Sequence, residues 1–261
     1  MMRDLSWKSI LSTLSKAIEV VINSQQNTLP SPDNLRRWNL NKDAVCGLCG
    51  DRAATLSHIL AGCSWVRTVK NKMPQEDRFT WRHNNILLVL ANMIGDQIKV
   101  SNSKQPPRPT EVKAQLIQFV RPGAKPRTSY KQKKTRISLL DGACDWVYNF
   151  DLVEFRKGSA YVFPHDVCPS PLRIDGYILS RRERIWIGIE LTSPMEENIT
   201  KWHGSKLRKY EEEFQLAAKQ NGWRFHIIVI EVGARGWIPP SVPRDLCKLG
   251  IPSHRVNDGC K

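Results

Sequence analysis

The sequence has no apolar stretch that approaches the roughly 18 residues of a membrane span. Its first ten residues, MMRDLSWKSI, also lack the long apolar core of a secretory signal. Cysteines number only seven, an odd count. We therefore expect no membrane partner and a reducing compartment, where clustered cysteines indicate metal binding rather than disulfides.

Acidic residues are scarce: 25 Asp and Glu stand against 40 Lys and Arg. Residues 101–136 hold ten cations against one acid and are rich in proline, so we predict a basic linker between a helical region (1–100) and a second domain (137–261). A basic arm suits a polyanionic partner, although a plain soluble tether has the same composition. The residues expected to bind nucleic acid are Lys125, Arg127, Lys131, Lys133, Lys134 and Arg136 of the linker, together with Arg173.

Four potential metal ligands follow one another with the spacing C-x2-C-x8-H-x4-C within residues 41–65. Cys46 and Cys49 flank a tight turn, and we predict His58 and Cys63 on a helix over 55–63. Four such ligands favour tetrahedral zinc and leave no open position, so the predicted site is structural. The alternative is a group of buried free cysteines. Whether such a module binds nucleic acid or only braces the fold stays open.

Two isoleucine-rich runs, 172–179 and 184–191, bracket a polar turn, as paired strands do. A turn centred between Arg182 and Glu183 makes Asp175 and Glu190 cross-strand partners, so their side chains face the same way with Cβ atoms about 5 Å apart. Carboxylates this close repel each other unless a cation lies between them, and their hard oxygens suit magnesium. The pair therefore predicts a magnesium site.

The next segment predicts a helix that delivers a lysine to these acids. Ser193 is the expected N-cap, and Glu196 completes a capping box. Lys206 falls on an otherwise apolar stripe of this helix and needs an acidic partner; Lys209, one turn on, is the second candidate. Two acids and a lysine around one metal predict phosphodiester cleavage. The alternative is that the acids flank exposed strand edges and Lys206 extends to solvent.

The pattern D-x14-E-L-T-x-P-x-E-x-N-I, followed by K-x-x-K-Y, resembles the restriction-like endonuclease domain of site-specific non-LTR retrotransposons. The Cys-Cys-His-Cys spacing upstream resembles the zinc knuckle of the same proteins. The resemblance implies a variant PD-(D/E)xK nuclease fold in which the lysine lies on the following helix, and Thr192 stands where the usual lysine would be. The sequence departs from the family at Ile174, where a proline is usual.

The resemblance further implies a domain that nicks target DNA to prime reverse transcription in the nucleus. Asp175 and Glu190 would bind magnesium, and Lys206 and Lys209 would be catalytic. The expected partners are target DNA, element RNA and a reverse transcriptase portion. The reverse transcriptase portion is expected as a separate partner because the chain has no Tyr-x-Asp-Asp box. The rival hypothesis is a non-catalytic nucleic-acid-binding module built from the knuckle and the basic linker.

The order of predicted elements gives an α/β fold: a mixed sheet flanked by helices and preceded by the helical region with its knuckle. We predict helices over 5–23 and 81–94, and the apolar run 223–232 predicts a buried central strand. Asp151 is a candidate third acid, with a capping or surface role equally open. His83 is interpreted as a packing or surface residue.

Overall fold

The computed structural model describes residues 15–68, 78–104, 123, 138–155, 163–170 and 172–252. The linker residues from Lys125 to Arg136 and the first part of the predicted 5–23 helix lie outside these ranges. No helix of the described part is both long enough and apolar enough to cross a membrane.

Three helices and a small turn-rich module precede the longest N-terminal helix. Helix α1 spans Ser15–Gln25, α2 spans Pro32–Arg37 and α3 spans Ser64–Thr68. Ser31 caps α2 by accepting the backbone N–H of Asn34. Helix α4, Arg78–Asn102, includes the predicted 81–94 helix and extends it at both ends.

A four-stranded mixed sheet follows, with strand order β1-β2-β3-β4. The strands are β1 (Val147–Phe150), β2 (Gly176–Ser180), β3 (Ile185–Thr192) and β4 (Arg224–Glu231). Helix α5 (Ile199–Gln220) connects β3 to β4, which pair in parallel, and α6 (Ser241–Lys248) follows. The α/β prediction of a mixed sheet flanked by helices is therefore confirmed.

The hairpin register agrees with the sequence prediction. Gly176 pairs with Ile189 and Tyr177 with Gly188, so the next residues outward, Asp175 and Glu190, lie opposite each other as expected. The prediction for β4 was wrong in one respect: the strand is buried at its carboxyl end but lies at the edge of the described sheet, because only β3 pairs with it there.

Helices cover both faces of the sheet, and β3 is buried on both sides. On one face, its odd-numbered isoleucines pack against α4 and α6 through residues such as Leu90, Ile94 and Leu246. On the other face, Trp186 packs against Phe214 of α5. Helix α4 precedes the predicted linker, yet it shares its core with the sheet that follows the linker.

A buried aromatic ring fixes the backbone next to Asp175. A Cβ atom at Gly176 would overlap the ring of Phe150, which is fully buried. We expect Gly176→Ala to lower the free energy of unfolding by about 1–3 kcal/mol, because the core must shift to admit the methyl group.

The matched control is Gly204→Ala in α5, where the new Cβ meets no atom within 4 Å. Alanine stabilises a helix relative to glycine by about 1 kcal/mol, so this variant should be at least as stable as the parent. Urea unfolding of both variants checks the pair. Equal stabilities would contradict the packing argument.

Candidate functional site

The first site is the predicted zinc module. Its backbone forms a small hairpin in which Cys46 donates its N–H to the carbonyl of Arg52, at 2.8 Å, and Val45 bridges Ala53. Gly50 has φ of +70°, a left-handed conformation that glycine adopts without steric cost. This turn places the sulfur atoms of Cys46 and Cys49 close together, in one cluster of potential ligands.

His58 and Cys63 complete the group from the next segment. The prediction of an α-helix over 55–63 was wrong in part: residues His58–Gly62 form a π-helical turn, and Cys63 is extended. One ligand atom from each of the four residues lies within 4.8 Å of the other three. These distances suit tetrahedral zinc, whose Zn–S bonds are about 2.3 Å long. The cluster can therefore bind a metal ion such as zinc.

Local hydrogen bonds prepare one thiol of the cluster for metal binding. Backbone N–H groups of Cys49 and Leu48, together with His58, lower the pKa of Cys46 to about 6, although burial opposes this shift. Burial and the neighbouring Cys46 raise the pKa of Cys63. A metal cation would stabilise both thiolates, since thiolates rather than thiols bind metal.

We expect the purified protein to contain one equivalent of zinc, and Cys46→Ser or Cys63→Ser to lose most of it, because each removes a thiolate ligand. The matched control is Cys247→Ser, since Cys247 lies in α6 and outside the cluster. Elemental analysis, with cobalt substitution as an optical check, measures the metal. Unchanged zinc content in Cys46→Ser would contradict the assignment.

The second site is a cleft of about 580 Å³ at the end of the sheet where β3 finishes. It is bounded by the zinc module at Ala61, by the start of α4, by the loop after β3 and by the first turns of α5. Asp175, Glu190 and Lys206 all line this cleft. The structure therefore brings together three of the four predicted catalytic residues.

Glu190 is the most buried of the three. Its side chain is 3% exposed; Oε1 contacts the ammonium of Lys206 and lies 3.2 Å from the hydroxyl of Tyr210. The other oxygen, Oε2, is buried without a hydrogen-bond partner among the described residues. Burial, followed by the charge of Asp175, raises the pKa of Glu190 to about 7, and Lys206 and Tyr210 oppose that shift.

Asp175 lies just before β2 and points toward the end of β3. Its Oδ2 atom accepts the backbone N–H of Leu191 at 2.7 Å, and its carbonyl accepts the N–H of Asp151 at 2.8 Å. These bonds hold the carboxylate in the cleft beside Glu190.

Two more of the predicted residues, Lys209 and Arg173, lie beside the cleft rather than in its lining. Lys209 donates to the hydroxyl of Tyr210 at 3.2 Å, and Tyr210 bonds the carbonyl of Arg173 at 2.8 Å. Burial raises the pKa of Tyr210, as do the charges of Glu190 and Asp175. The exposed Arg173 guanidinium pairs with Asp151, the candidate third acid.

The predicted capping box at the start of the lysine helix was wrong. Helix α5 begins at Ile199 after a 3-10 turn at Glu196–Asn198, and Ser193 makes no cap hydrogen bond. Glu196 instead accepts the N–H of Arg235 at 2.8 Å. The carboxylate is thus bound to the turn after β4 and does not reach back to Ser193.

Sequence reasoning missed two residues of the cleft wall because their partners are distant in the chain. Arg82 donates to the carbonyls of Leu60 and Ser193, at 3.0 and 3.2 Å, and so ties the zinc module to the loop after β3. Burial lowers the pKa of Arg82, and the negative charge of Glu196 opposes this shift.

His83 is the second missed residue, because the packing or surface role expected for it omits its place in the cleft. Its Nε2 lies 3.3 Å from Asp175 Oδ2. Burial lowers the pKa of His83, but its contacts with Asp175, Asn84 and Leu191 outweigh burial and raise the pKa overall.

A further buried acid lies on the same side of the sheet. Glu231 ends β4 opposite Thr192 and contacts Nδ1 of His203, three residues before Lys206 on α5. Burial raises the pKa of Glu231, and His203 opposes the shift. This pair anchors the start of α5 to the sheet.

Neither a protein-family model nor a curated protein matches the chain. The function is therefore argued from the geometry of the two sites.

The buried charge of Glu190 should cost stability in the absence of a divalent cation in the cleft. Because its folded-state pKa is raised to about 7 from the ordinary value of 4.5, the stability of the folded state falls as pH rises through that interval. We expect Glu190→Gln to stabilise the zinc-loaded protein at pH 8 by about 1–3 kcal/mol, since one pKa unit is worth about 1.4 kcal/mol. At pH 5 the difference should be small.

Urea unfolding at the two pH values measures this difference. Glu211→Gln, an exposed change on α5, is the matched control and should show no such pH dependence. A variant that is less stable than the parent at pH 8 would mean that the Lys206 contact more than offsets the burial of Glu190.

Proposed function

We propose that this chain is a metal-dependent DNA endonuclease with a restriction-like, PD-(D/E)xK type of fold. The observation that carries the proposal is the convergence of Asp175, Glu190 and Lys206 in one cleft, where a buried oxygen of Glu190 has no hydrogen-bond partner among the residues described. Two neighbouring carboxylates and a lysine at the end of a mixed sheet support hydrolysis of a phosphodiester bond.

The donor set fits magnesium. Asp175 and Glu190 would hold the ion through carboxylate oxygens, and Glu190 Oε2 has no hydrogen-bond partner in the part of the chain that the structure describes. When bound, the ion supplies polarisation of the phosphate and acidification of a water molecule. It would also offset the repulsion by which Asp175 raises the pKa of Glu190.

Lys206 has two roles in this proposal. Its ammonium donates a hydrogen bond to Oε1 of Glu190, which leaves Oε2 available to the cation. Its side chain is 25% exposed at the cleft wall, so the same ammonium can orient a water molecule or stabilise charge on the phosphate. Tyr210 supports Lys206 by bonding α5 to Glu190 and to the carbonyl of Arg173, and Lys209 donates to the Tyr210 hydroxyl.

A nucleic acid suits the cleft better than a small metabolite. Trp202 lines the cleft and is 47% exposed, so its ring can stack on a base. The basic linker residues and Arg173 would contact phosphates. In line with the sequence resemblance, we propose target-DNA nicking for a non-LTR retrotransposon in the nucleus, with a reverse transcriptase portion and element RNA as partners.

We expect the purified chain to nick supercoiled plasmid DNA with Mg²⁺ but not with Ca²⁺, a larger ion with looser coordination. Asp175→Ala and Lys206→Ala should each reduce nicking at least about a hundredfold, because each removes a group that acts on the reacting phosphate. Lys219→Ala, an exposed lysine in the last turn of α5, is the control and should remain active.

Omitting magnesium, rather than adding a chelator, keeps zinc in its module during this assay. Nicking by Asp175→Ala at the parent rate would overturn the assignment. Salt-sensitive DNA binding without cleavage by any form of the protein would favour the non-catalytic binding module instead.

A further inference from the structure

His83 has no role in the function proposed above, yet it reaches into the cleft from the second turn of α4. Its Nε2 atom lies 3.3 Å from Asp175 Oδ2 and 3.3 Å from the carbonyl oxygen of Leu191. The side chain is 26% exposed, so packing restricts its orientation. A nitrogen from α4 therefore lies next to both a carboxylate oxygen from the residue before β2 and a backbone oxygen from β3.

The other ring nitrogen also has a defined neighbour. Nδ1 of His83 lies 3.2 Å from Oδ1 of Asn84, which can accept its hydrogen. When Nδ1 donates to Asn84, the neutral ring directs its Nε2 lone pair toward Asp175 and Leu191. Histidines that bind metals commonly have this arrangement, in which the second ring nitrogen donates to an oxygen that fixes the tautomer.

Asp175 and the Leu191 carbonyl offer only acceptor atoms to Nε2, so they need a hydrogen or a cation between them and the ring. A hydrogen on Nε2 satisfies them in the absence of a metal. A divalent cation at the same point would meet two oxygens and one nitrogen, with the Glu190 carboxylate in the same cleft.

We propose that His83 Nε2 is a protein ligand of the cation in the cleft, alongside Asp175 and the Leu191 carbonyl. The inference rests on the proposed function, because it concerns the same cation. On binding, the Nε2 proton leaves to solvent, the lone pair of Nε2 takes the cation, and the Nδ1 hydrogen remains on the Asn84 side.

A nitrogen ligand changes which cation the site prefers. Magnesium prefers oxygen ligands alone, whereas first-row transition ions also accept imidazole. Mn²⁺ accepts carboxylate, carbonyl and imidazole ligands and is the weakest of these ions at nitrogen and sulfur sites, so it should not displace zinc from the cysteine cluster. We therefore expect the cleft to bind Mn²⁺ more tightly than Mg²⁺.

The test uses the full chain with zinc bound and Mn²⁺ as the probe, without DNA. Electron paramagnetic resonance of free Mn²⁺ gives the dissociation constant, and electron spin-echo modulation detects a directly bound ¹⁴N nucleus. We expect ¹⁴N modulation that changes when histidine is labelled with ¹⁵N. His83→Ala should remove it and weaken Mn²⁺ binding at least about tenfold, in the range found when metal-site partners are lost.

Two further variants separate ligation from simple positioning and from loss of folding. His83→Gln can still donate a hydrogen bond to Asp175 but has no imidazole, so it too should lose the ¹⁴N modulation. His165→Ala removes an exposed histidine that does not line the cleft and should bind Mn²⁺ like the parent. Thermal melting of each variant checks that it is folded.

The outcomes distinguish this inference from the proposed function. Loss of Mn²⁺ binding in Asp175→Ala, without histidine modulation in the parent, would keep the cation site and overturn the role of His83. Equal Mn²⁺ affinity in the parent and His83→Ala would also overturn it. Unchanged Mn²⁺ binding in Asp175→Ala would overturn the cation site itself, and with it both proposals.

Discussion

Glu190 holds a carboxylate where water barely reaches, near the end of a strand that is buried on both faces. A lone charge there would cost several kcal/mol, so the surrounding structure must supply cations and donors. Lys206 and Tyr210 do this for Oε1 but not for Oε2. The nearby Asp175 adds to the cost of the charge and Oε2 stays unmet among the described residues, which is why the cleft suits a cation.

Much of this arrangement could be predicted because it is local in sequence. The hairpin register follows from a short turn and two periodic strands, so the opposition of Asp175 and Glu190 needed no tertiary information. The four candidate metal ligands could be predicted equally well, since four such residues within a stretch of 18 have few ways to meet. Lys206 was found because a lysine in an apolar helical stripe needs a partner.

The errors came from contacts between distant parts of the chain. Ser193, Pro194 and Glu196 have the sequence of a helix start, but the N–H of Arg235 competes for the Glu196 carboxylate. The apolar run of β4 resembles that of a central strand because helices bury both of its faces. Burial of the two faces determines the apolar pattern, whether or not a second strand pairs with β4 at its outer edge. His83 and Asp175 are 92 residues apart, and no local spacing links them.

Arg82 joins the two sites into one structure. It is a partly buried cation held by the carbonyls of Leu60 and Ser193; burial lowers its pKa, and the charge of Glu196 opposes that shift. Leu60 belongs to the π-helical turn that places His58 beside the three cysteines, while Ser193 belongs to the loop that follows Glu190 and Leu191. A metal ion that held this turn in place would therefore also hold an acceptor for Arg82, and through it the cleft wall. Because such coupling is reciprocal, a cleft wall held in this position would in turn favour metal binding at the cysteine cluster.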